Sequence, residues 1–377
     1  MARTADIIGK AAAGERIAPA EGLLLLEQAD LLDLARGADA RRRTLHPDGI
    51  VSFIIDRNIS YTNICVARCK FCAFYRRPGD PEGYVLPLEV ILKKIEETVE
   101  LGGTGILMQG GMHPELKIDY YENLLASIRE RFSIQLHCFS PPEIVVIARL
   151  SKLSIRETVG RLKAAGLGSI PGGGAEILDE ERRRWISPGK CSAAEWLDVM
   201  REAHLAGLKS TATMMFGMGE TGLQRVEHLE SLRRLQDETG GFVAFIPWNF
   251  QAANTDMQDW DLAPVTGHEY LRHIAVARLY LDNIPNLQAS WLTQGLMTGQ
   301  ISLRFGANDL GSVMIEENVI SKAGAHHTAT RDQLVGLIRE AGFTPAQRDA
   351  TYQFRQPIDH DQRYLQLAGS GQSAGGG

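Results

Sequence analysis

From about residue 51 the chain repeats one pattern eight times: a short apolar run, then a longer stretch with apolar residues at helical spacing. The runs at 52–56, 105–109, 134–139, 168–171, 210–216, 241–247, 286–290 and 301–305 read as strands, and 87–101, 120–132, 193–206 and 222–238 read as helices. Strands that alternate with helices form parallel sheets covered by those helices, so the fold class is α/β. Two architectures satisfy the pattern, a closed TIM-type (β/α)8 barrel and an open doubly wound sheet. The chemically suggestive segments follow many different strands, as in a barrel whose site is built from its C-terminal loops, whereas an open sheet gathers them at one switch point. A (β/α)8 barrel is therefore expected.

Residues 1–50 place leucines at helical spacing and read as an N-terminal helical arm. The barrel with a C-terminal extension is expected over 51–368. Residues 369–377, nearly all glycine, serine and alanine, cannot bury apolar area and read as a disordered tail.

Composition excludes several function classes. The net charge is −6, and arginines cluster only at 41–43 and 182–184, so no polyanion-binding face is expected and nucleic acid is not a partner. The strongest apolar stretch, Leu23 to Leu26, is broken at once by Glu27, Gln28 and Asp30, far short of a membrane span. Five cysteines, three of them in one motif, do not make a disulfide framework, which points to a reducing cytoplasm.

That motif is Cys65, Cys69 and Cys72, spaced C-x3-C-x2-C just after the first apolar run. Three thiolates from one loop suit three irons of a four-iron cubane, leaving the fourth iron open to another ligand. A zinc site would want a fourth Cys or His at ligand spacing, and no CxxC or HxxxH partner follows. A redox dithiol at Cys69 and Cys72 would leave Cys65 unused.

Other constellations also follow strands. Gly110 and Gly111 make a tight turn or let a polar ligand approach the backbone. Glu176 ends a run of three glycines that has neither the register nor the Lys-Ser/Thr of a phosphate loop; it is placed to accept hydrogen bonds from ligand hydroxyl or amino groups, or to serve a helix start. Trp248 offers an amphipathic ring suited to a ring-bearing substrate or to packing. Asn308 and Asp309, between glycines, suggest a ligand-facing site. His113 and His137 lie near strand ends, and adjacent His326 and His327 diverge too far to share a metal ion.

Taken together, C-x3-C-x2-C after the first strand, Phe71 before the last cysteine and the glycine pair after the second strand resemble the radical S-adenosylmethionine superfamily. Within it, runs at 56–63, 110–114, 139–144, 170–176, 213–217, 235–242 and 306–309 are similar to members that cyclise dehypoxanthine futalosine on the futalosine route to menaquinone, with aminofutalosine-forming and deazaflavin-forming members as the alternative. One departure is that the superfamily's frequent Gly-Gly-Glu reads Gly110-Gly111-Met112.

The resemblance implies a [4Fe-4S] cluster held by Cys65, Cys69 and Cys72, S-adenosylmethionine on its open iron, and a flavodoxin or ferredoxin as electron donor. It implies a 5′-deoxyadenosyl radical that takes the C4′ hydrogen of the substrate's sugar, followed by attack of the sugar carbon on the attached benzoate ring. Under it Phe71 is expected to pack on adenine, the Gly110 and Gly111 backbone to meet the methionine amino group, Ser140 to help its carboxylate and Glu176 to bind ribose hydroxyls. Arg57 or Arg304 is expected to pair with the benzoate carboxylate. His113, Glu143 and Asp309 are candidate bases for the ring proton, with Trp248 and Asn308 as further substrate contacts.

Overall fold

The computed structural model describes residues 3–325 and 327–357; His326 and the tail at 369–377 lie outside the described residues. Three helices come first, α1 (Thr4–Ala12), α2 (Pro19–Gln28) and α3 (Leu31–Leu45). They bury Ile7, Ile8, Leu25, Leu26 and Leu34, each worth about 1.5–3 kcal/mol when fully taken from water. Arginines fasten them to the body, with Arg272 Nη1 donating to Ala29 O (2.7 Å) and Arg233 Nη1 to Ile17 O (2.9 Å).

Strands β1 (Ile50–Ile54) and β2 (Asp56–Ser60) follow, separated only by Ile55. Helix α4 (Leu88–Glu100) leads to β3 (Gly105–Gln109), α5 (Ile118–Arg131) to β4 (Gln135–Cys138), and α6 (Pro141–Ser151) with α7 (Ile155–Ala165) to β5 (Ser169–Ile170). After α8 (Glu180–Ile186) and α9 (Ala193–Leu205) come β6 (Lys209–Phe216), α10 (Gly222–Thr239), β7 (Phe242–Asn249), α11 (Gly267–Tyr280) and β8 (Asn286–Leu287). Short helices α12 (Trp291–Gln294) and α13 (Leu296–Ser302) precede β9 (Asp309–Ser312), and α14 (Arg331–Glu340) precedes β10 (Thr344–Arg348) and β11 (Phe354–Pro357).

Strands β2 to β8 form one seven-stranded parallel sheet in sequence order. A bridge from Gln288 to Asp309 links β8 to β9, and β9 pairs in parallel with β1, which runs straight into β2. The pairing thus returns to its start, and the sheet curls as a barrel wall. Two expectations are corrected. The first wall strand is Asp56–Ser60; the run at 52–56 falls mostly in β1, which sits between β9 and β10. The run at 301–305 is the end of α13 and a turn closed by Phe305 N to Ser302 O, and Ile301 is exposed. The eighth strand is Asp309–Ser312, whose Asp and Gly read poorly as strand but are satisfied by buried partners.

Local chemistry sets the helix ends. Ser154, Ser192 and Thr221 cap α7, α9 and α10, each paired with a Glu or Gln three residues on. Side chains alternate across the wall. Ile59, Ile106, Met108, Leu136, Ala212, Met214 and Phe216 are buried in the main core, while the alternate residues Asn58, Ser60, Gln109, His137, Thr211 and Thr213 line an interior cavity. The inner face of the wall thus carries polar side chains that the outer face, packed under the helices, does not.

Candidate active site

The cavity holds about 390 Å3 and is lined by Cys65, Cys69, Cys72, Phe71, Gly110, Gly111, Ser140, Glu143, Glu176 and Trp248 among others. The loop after β2 carries the cysteines and folds back as a cup. Cys65 N donates to Arg76 O (2.9 Å), Arg76 N to Asn63 O (2.8 Å), and the Asn63 side chain binds Glu82 O and Tyr84 N. Arg76 Nη1 also gathers the carbonyls of Ala73, Phe74 and Tyr75. Sequence reasoning passed over Arg76, which looked like one of many surface arginines.

Gly111 shows why that loop needs a glycine. A Cβ there would stand 2.2 Å from Ile64 O, a backbone collision no rotamer relieves. Gly111 N donates to Thr62 O and Gly110 N to Glu143 Oε1 (3.0 Å), so both amides are engaged, and any help from this turn to an amino group falls to its carbonyl oxygens.

Three buried or half-buried thiols suit an iron–sulfur ligand set. Burial pushes Cys69 up to about 12, and burial raises Cys72, against which the amides of Tyr75 and Phe74 hydrogen-bond its sulfur. Ala67 N points at Cys65 Sγ (3.4 Å). Metal coordination deprotonates such thiols outright, and the amides then stabilise the thiolate sulfurs. Among the described residues no three His, Cys, Asp or Glu side chains gather as ligands for a single metal ion. A cubane instead takes one thiolate per iron, at separate corners.

Opposite the thiols, Glu176 sits at φ 40°, in the left-handed region that costs a residue with a Cβ about 1–2 kcal/mol. Its Oε1 accepts from Lys190 Nζ (2.7 Å), while Oε2 is buried without a partner. An orphaned buried carboxylate oxygen on a cavity wall fits a site built for donors such as ribose hydroxyls. Lys190, which the sequence reading did not single out, lies 5.1 Å from the Phe71 ring centroid. Burial works against its charge, and Cys69 and Glu176 more than offset that, raising its pKa.

Ser140 and Glu143 turn out to be a helix start. Ser140 N (2.8 Å) and Oγ (2.6 Å) both donate to Glu143 Oε2 at the first turn of α6. Glu143 Oε1 accepts from Tyr61 OH (2.8 Å) and Gly110 N. Burial pushes this carboxyl up to about 7 against those four donors.

Five expected contacts lie outside the cavity lining. Arg57 faces outward from β2 and binds Glu97 (2.8 Å) and Lys94 O. Arg304 donates to Ala341 O (2.5 Å) and stacks on Phe343. Asn308 is fixed by Arg278, Leu287 N and Asn286. Asp309 is held by Arg348 Nε (2.5 Å) and Nη2 (2.8 Å) and by Ser52 Oγ. His113 Nδ1 accepts from Glu115 N (3.1 Å). The cause is common to all five: each side chain has a structural partner on the outer layer or beneath the cavity.

The cavity instead brings in His137, noted in the sequence as lying near a strand end, and other residues that sequence reasoning missed. Arg348 from β10 lines its floor, beside Asp56, to which Ser312 Oγ donates. Burial pushes the Asp56 carboxyl up to about 6. His137 binds Ser169 Oγ (2.7 Å), and burial lowers it to about 3, so it is neutral. Asn58 Oδ1 and Ser60 Oγ, on the inner face of β2, are buried without partners. The signal was polar alternation at Asp56, Asn58 and Ser60, which marks an inward wet face.

With thiol loop, glycine turn and orphaned carboxylate on one cavity, comparison with known proteins decides the family. Residues 59–232 match the radical SAM superfamily model and 239–361 the CofH/MqnC C-terminal region. The chain is 48% identical to cyclic dehypoxanthine futalosine synthase of Halalkalibacterium halodurans over 92% of this chain and 94% of that one. The chain belongs to the radical S-adenosylmethionine superfamily. It is also 49% identical to cyclic dehypoxanthine futalosine synthase of Streptomyces coelicolor, covering 92% and 88% of the two chains. Identity is 40% to a 5-amino-6-(D-ribitylamino)uracil–L-tyrosine 4-hydroxyphenyl transferase of Methanopyrus kandleri, over 80% and 84%. Among solved structures, the [FeFe]-hydrogenase maturase HydG shares the fold with a TM-score of 0.73 at 18% identity, covering 98% of this chain and 80% of that one. The chain is thus a radical SAM enzyme with a TIM-type barrel. No helix among the described residues is long and apolar enough to cross a membrane.

Proposed function

We propose that this radical SAM enzyme cyclises dehypoxanthine futalosine to its spiro product on the futalosine route to menaquinone. The observation that carries the reading is the cavity itself, about 390 Å3 lined by three thiols, by aromatic and aliphatic side chains and by a few polar groups, which suits a sugar joined to an aromatic acid. The near 50% identity to two synthases of that name supports the choice within the superfamily. When bound, a [4Fe-4S] cluster and S-adenosylmethionine would supply a primary carbon radical able to take the C4′ hydrogen of the sugar, and the cluster would take back the one electron that the benzoate ring gives up, with its proton, as the C4′ carbon bonds to it.

The chain's own residues hold and shield that chemistry. Cys65, Cys69 and Cys72 hold the cluster; Phe71 packs on adenine, and Glu176 Oε2 accepts from ribose hydroxyls. Met112, Met215, Trp248, Phe250 and Trp291 line the walls and keep water from a reactive carbon centre. Asn58 and Ser60 offer their unpaired atoms to the substrate's polar groups. With Arg57 and Arg304 facing away, the carboxylate lies toward Arg348, whose Nη1 keeps one N–H beyond its bond to Asp349 O. Glu143 is surrounded by four donors, Glu176 is paired with Lys190, and Glu317 accepts three backbone amides. Asp56, with its single bond from Ser312, is the wall carboxyl left to take the ring proton. Reduction requires an external one-electron donor, for which a flavodoxin or ferredoxin serves.

The test is anaerobic purification with iron and sulfide analysis and an electron paramagnetic spectrum with and without S-adenosylmethionine, followed by assay on dehypoxanthine futalosine alone. A four-iron signal that shifts on adding the nucleoside, then cyclisation without a second substrate, is expected. Turnover only when tyrosine and a ribitylaminouracil are both present would move the chain to the transferase reading, which the 40% identity favours next.

A further inference from the structure

On the cysteine loop, alternate residues point opposite ways. Cys65, Cys69 and Cys72 line the cavity, while Val66 and Arg68 stand exposed between them. Beside this outward face two tryptophans meet at a tilt of 36°, Trp185 near the end of α8 and Trp260, with ring centroids 4.3 Å apart. Trp185 is 42% exposed and Val66 38%, so apolar and aromatic surface lies directly beside the loop. Lys70 Nζ lies over both rings at 5.2 and 5.3 Å, and Arg182 lies over Trp185 at 4.4 Å.

The tryptophan pair is fastened directly to the thiol loop. Lys70 N donates to Ile186 O (2.8 Å), and Gly189 N donates to Ala67 O (3.1 Å). Gly189 admits that second contact because a Cβ there would meet Ala67 O at 2.6 Å. From Trp185 the route inward is one peptide to Ile186, one hydrogen bond to Lys70 N and one peptide to Cys69. No other step intervenes between solvent-exposed aromatic surface and a cluster ligand.

Charge selects the partner. Arg68, Lys70 and Arg182 form a cationic strip on a chain whose net charge is −6. On α8, Glu180 is drawn to Arg184 and to the amide of Ala193. Asp259 and Asp261, exposed on either side of Trp260, bound the strip there. Aromatic residues and arginine are the types enriched where proteins dock, and a basic rim steers an acidic partner and speeds its encounter.

We infer that the surface formed by Val66, Arg68, Lys70, Arg182, Trp185 and Trp260 is the docking site for an acidic, one-electron carrier protein that reduces the cluster. The inference rests on the radical SAM reading above, since only that chemistry needs an electron delivered at this loop. The bound carrier passes one electron to the cluster and leaves oxidised by one electron.

The experiment uses the anaerobic holoenzyme, with a flavodoxin and a ferredoxin of acidic charge as probes. Binding is measured by titration calorimetry at low and high salt, and S-adenosylmethionine cleavage is driven either by the carrier or by dithionite. The Arg68→Glu, Lys70→Glu double variant is expected to weaken carrier binding roughly tenfold or more, with a matching fall in carrier-driven cleavage. Its dithionite-driven rate and iron content are expected to stay at the wild-type level. Should that variant lose iron, Arg182→Glu combined with Trp185→Ala, which lies outside the thiol loop, gives the same reading. Unchanged binding in an iron-replete variant overturns the proposal, as does failure of both carriers to bind the wild type at low salt. Failure of dithionite to drive any cleavage in the wild type would instead count against the radical SAM reading itself.

Discussion

At the mouth and along the upper wall of the cavity, Glu176, Asn58 and Ser60 each keep a buried oxygen without a partner. At its floor Asp309 fills both oxygens, accepting from Arg348, Ser52 and Gly311 N. Leaving a buried polar atom unpaired costs about 1–3 kcal/mol, so these three wall atoms carry a stability penalty that the Asp309 carboxylate avoids. Both regions are buried in the same low-dielectric interior. What separates them is pairing: Asp309 is complete without a ligand, and the three wall oxygens are not.

The largest expected effect comes from the mouth. Cys69→Ala removes one of three cluster ligands, and iron content and turnover are expected to fall to background while the circular-dichroism spectrum persists. Retained iron and activity would sink the cluster assignment. The floor is expected to respond in the opposite currency. Arg348→Met leaves Asp309 buried without its charge partner, and a loss of about 3–5 kcal/mol in denaturant unfolding is expected. A floor variant that unfolds like wild type would erase the contrast between the two regions.

Asp56 sits at the junction and tests the comparison through pH. Burial raises its carboxyl to about 6, so ionising it costs the fold stability, while above pH 6 the carboxylate that can take a proton prevails. Its contribution to stability is whole below the unfolded carboxyl's pKa of about 4 and is lost as pH rises through about 6, by roughly 2–3 kcal/mol. Asp56→Asn is expected to flatten the decline in melting temperature between pH 4 and 7. Parallel profiles for variant and wild type would show that burial does not raise the Asp56 pKa. The same variant is expected to slow cyclisation if Asp56 takes the ring proton.

Much of this was legible in the sequence, and the failures have a common cause. Helices α4, α5, α9 and α10 and most wall strands lie within a residue or two of where the apolar period puts them, because each buries one face against the sheet. The cysteine loop announced itself by spacing. The strand at 309–312 stayed hidden because its stability comes from Arg348, a pairing across 39 residues that no local pattern reports. Arg57 and Arg304 were natural choices for a carboxylate, yet both point outward, since strand alternation puts Arg57 opposite Asp56 and Asn58. The inward residues Asp56, Asn58 and Ser60 were visible as a polar alternation, but polar alternation usually marks a solvated face. Only a barrel with a cavity turns that rule inside out.

Ser60 gives the smallest and sharpest test. Its Oγ is buried and unpaired, so removing it deletes a desolvated group and no hydrogen bond. Ser60→Ala is therefore expected to raise stability by about 1 kcal/mol, against the large loss from Arg348→Met at the floor. If that oxygen waits for the substrate, the same change weakens binding of dehypoxanthine futalosine by roughly tenfold. A structural serine would do the reverse: its loss would lower the melting temperature and leave the substrate's dissociation constant where it was. The two readouts move in opposite directions under the two accounts, so a melting curve and a titration on one variant distinguish a wall built for a ligand from a wall built to stand.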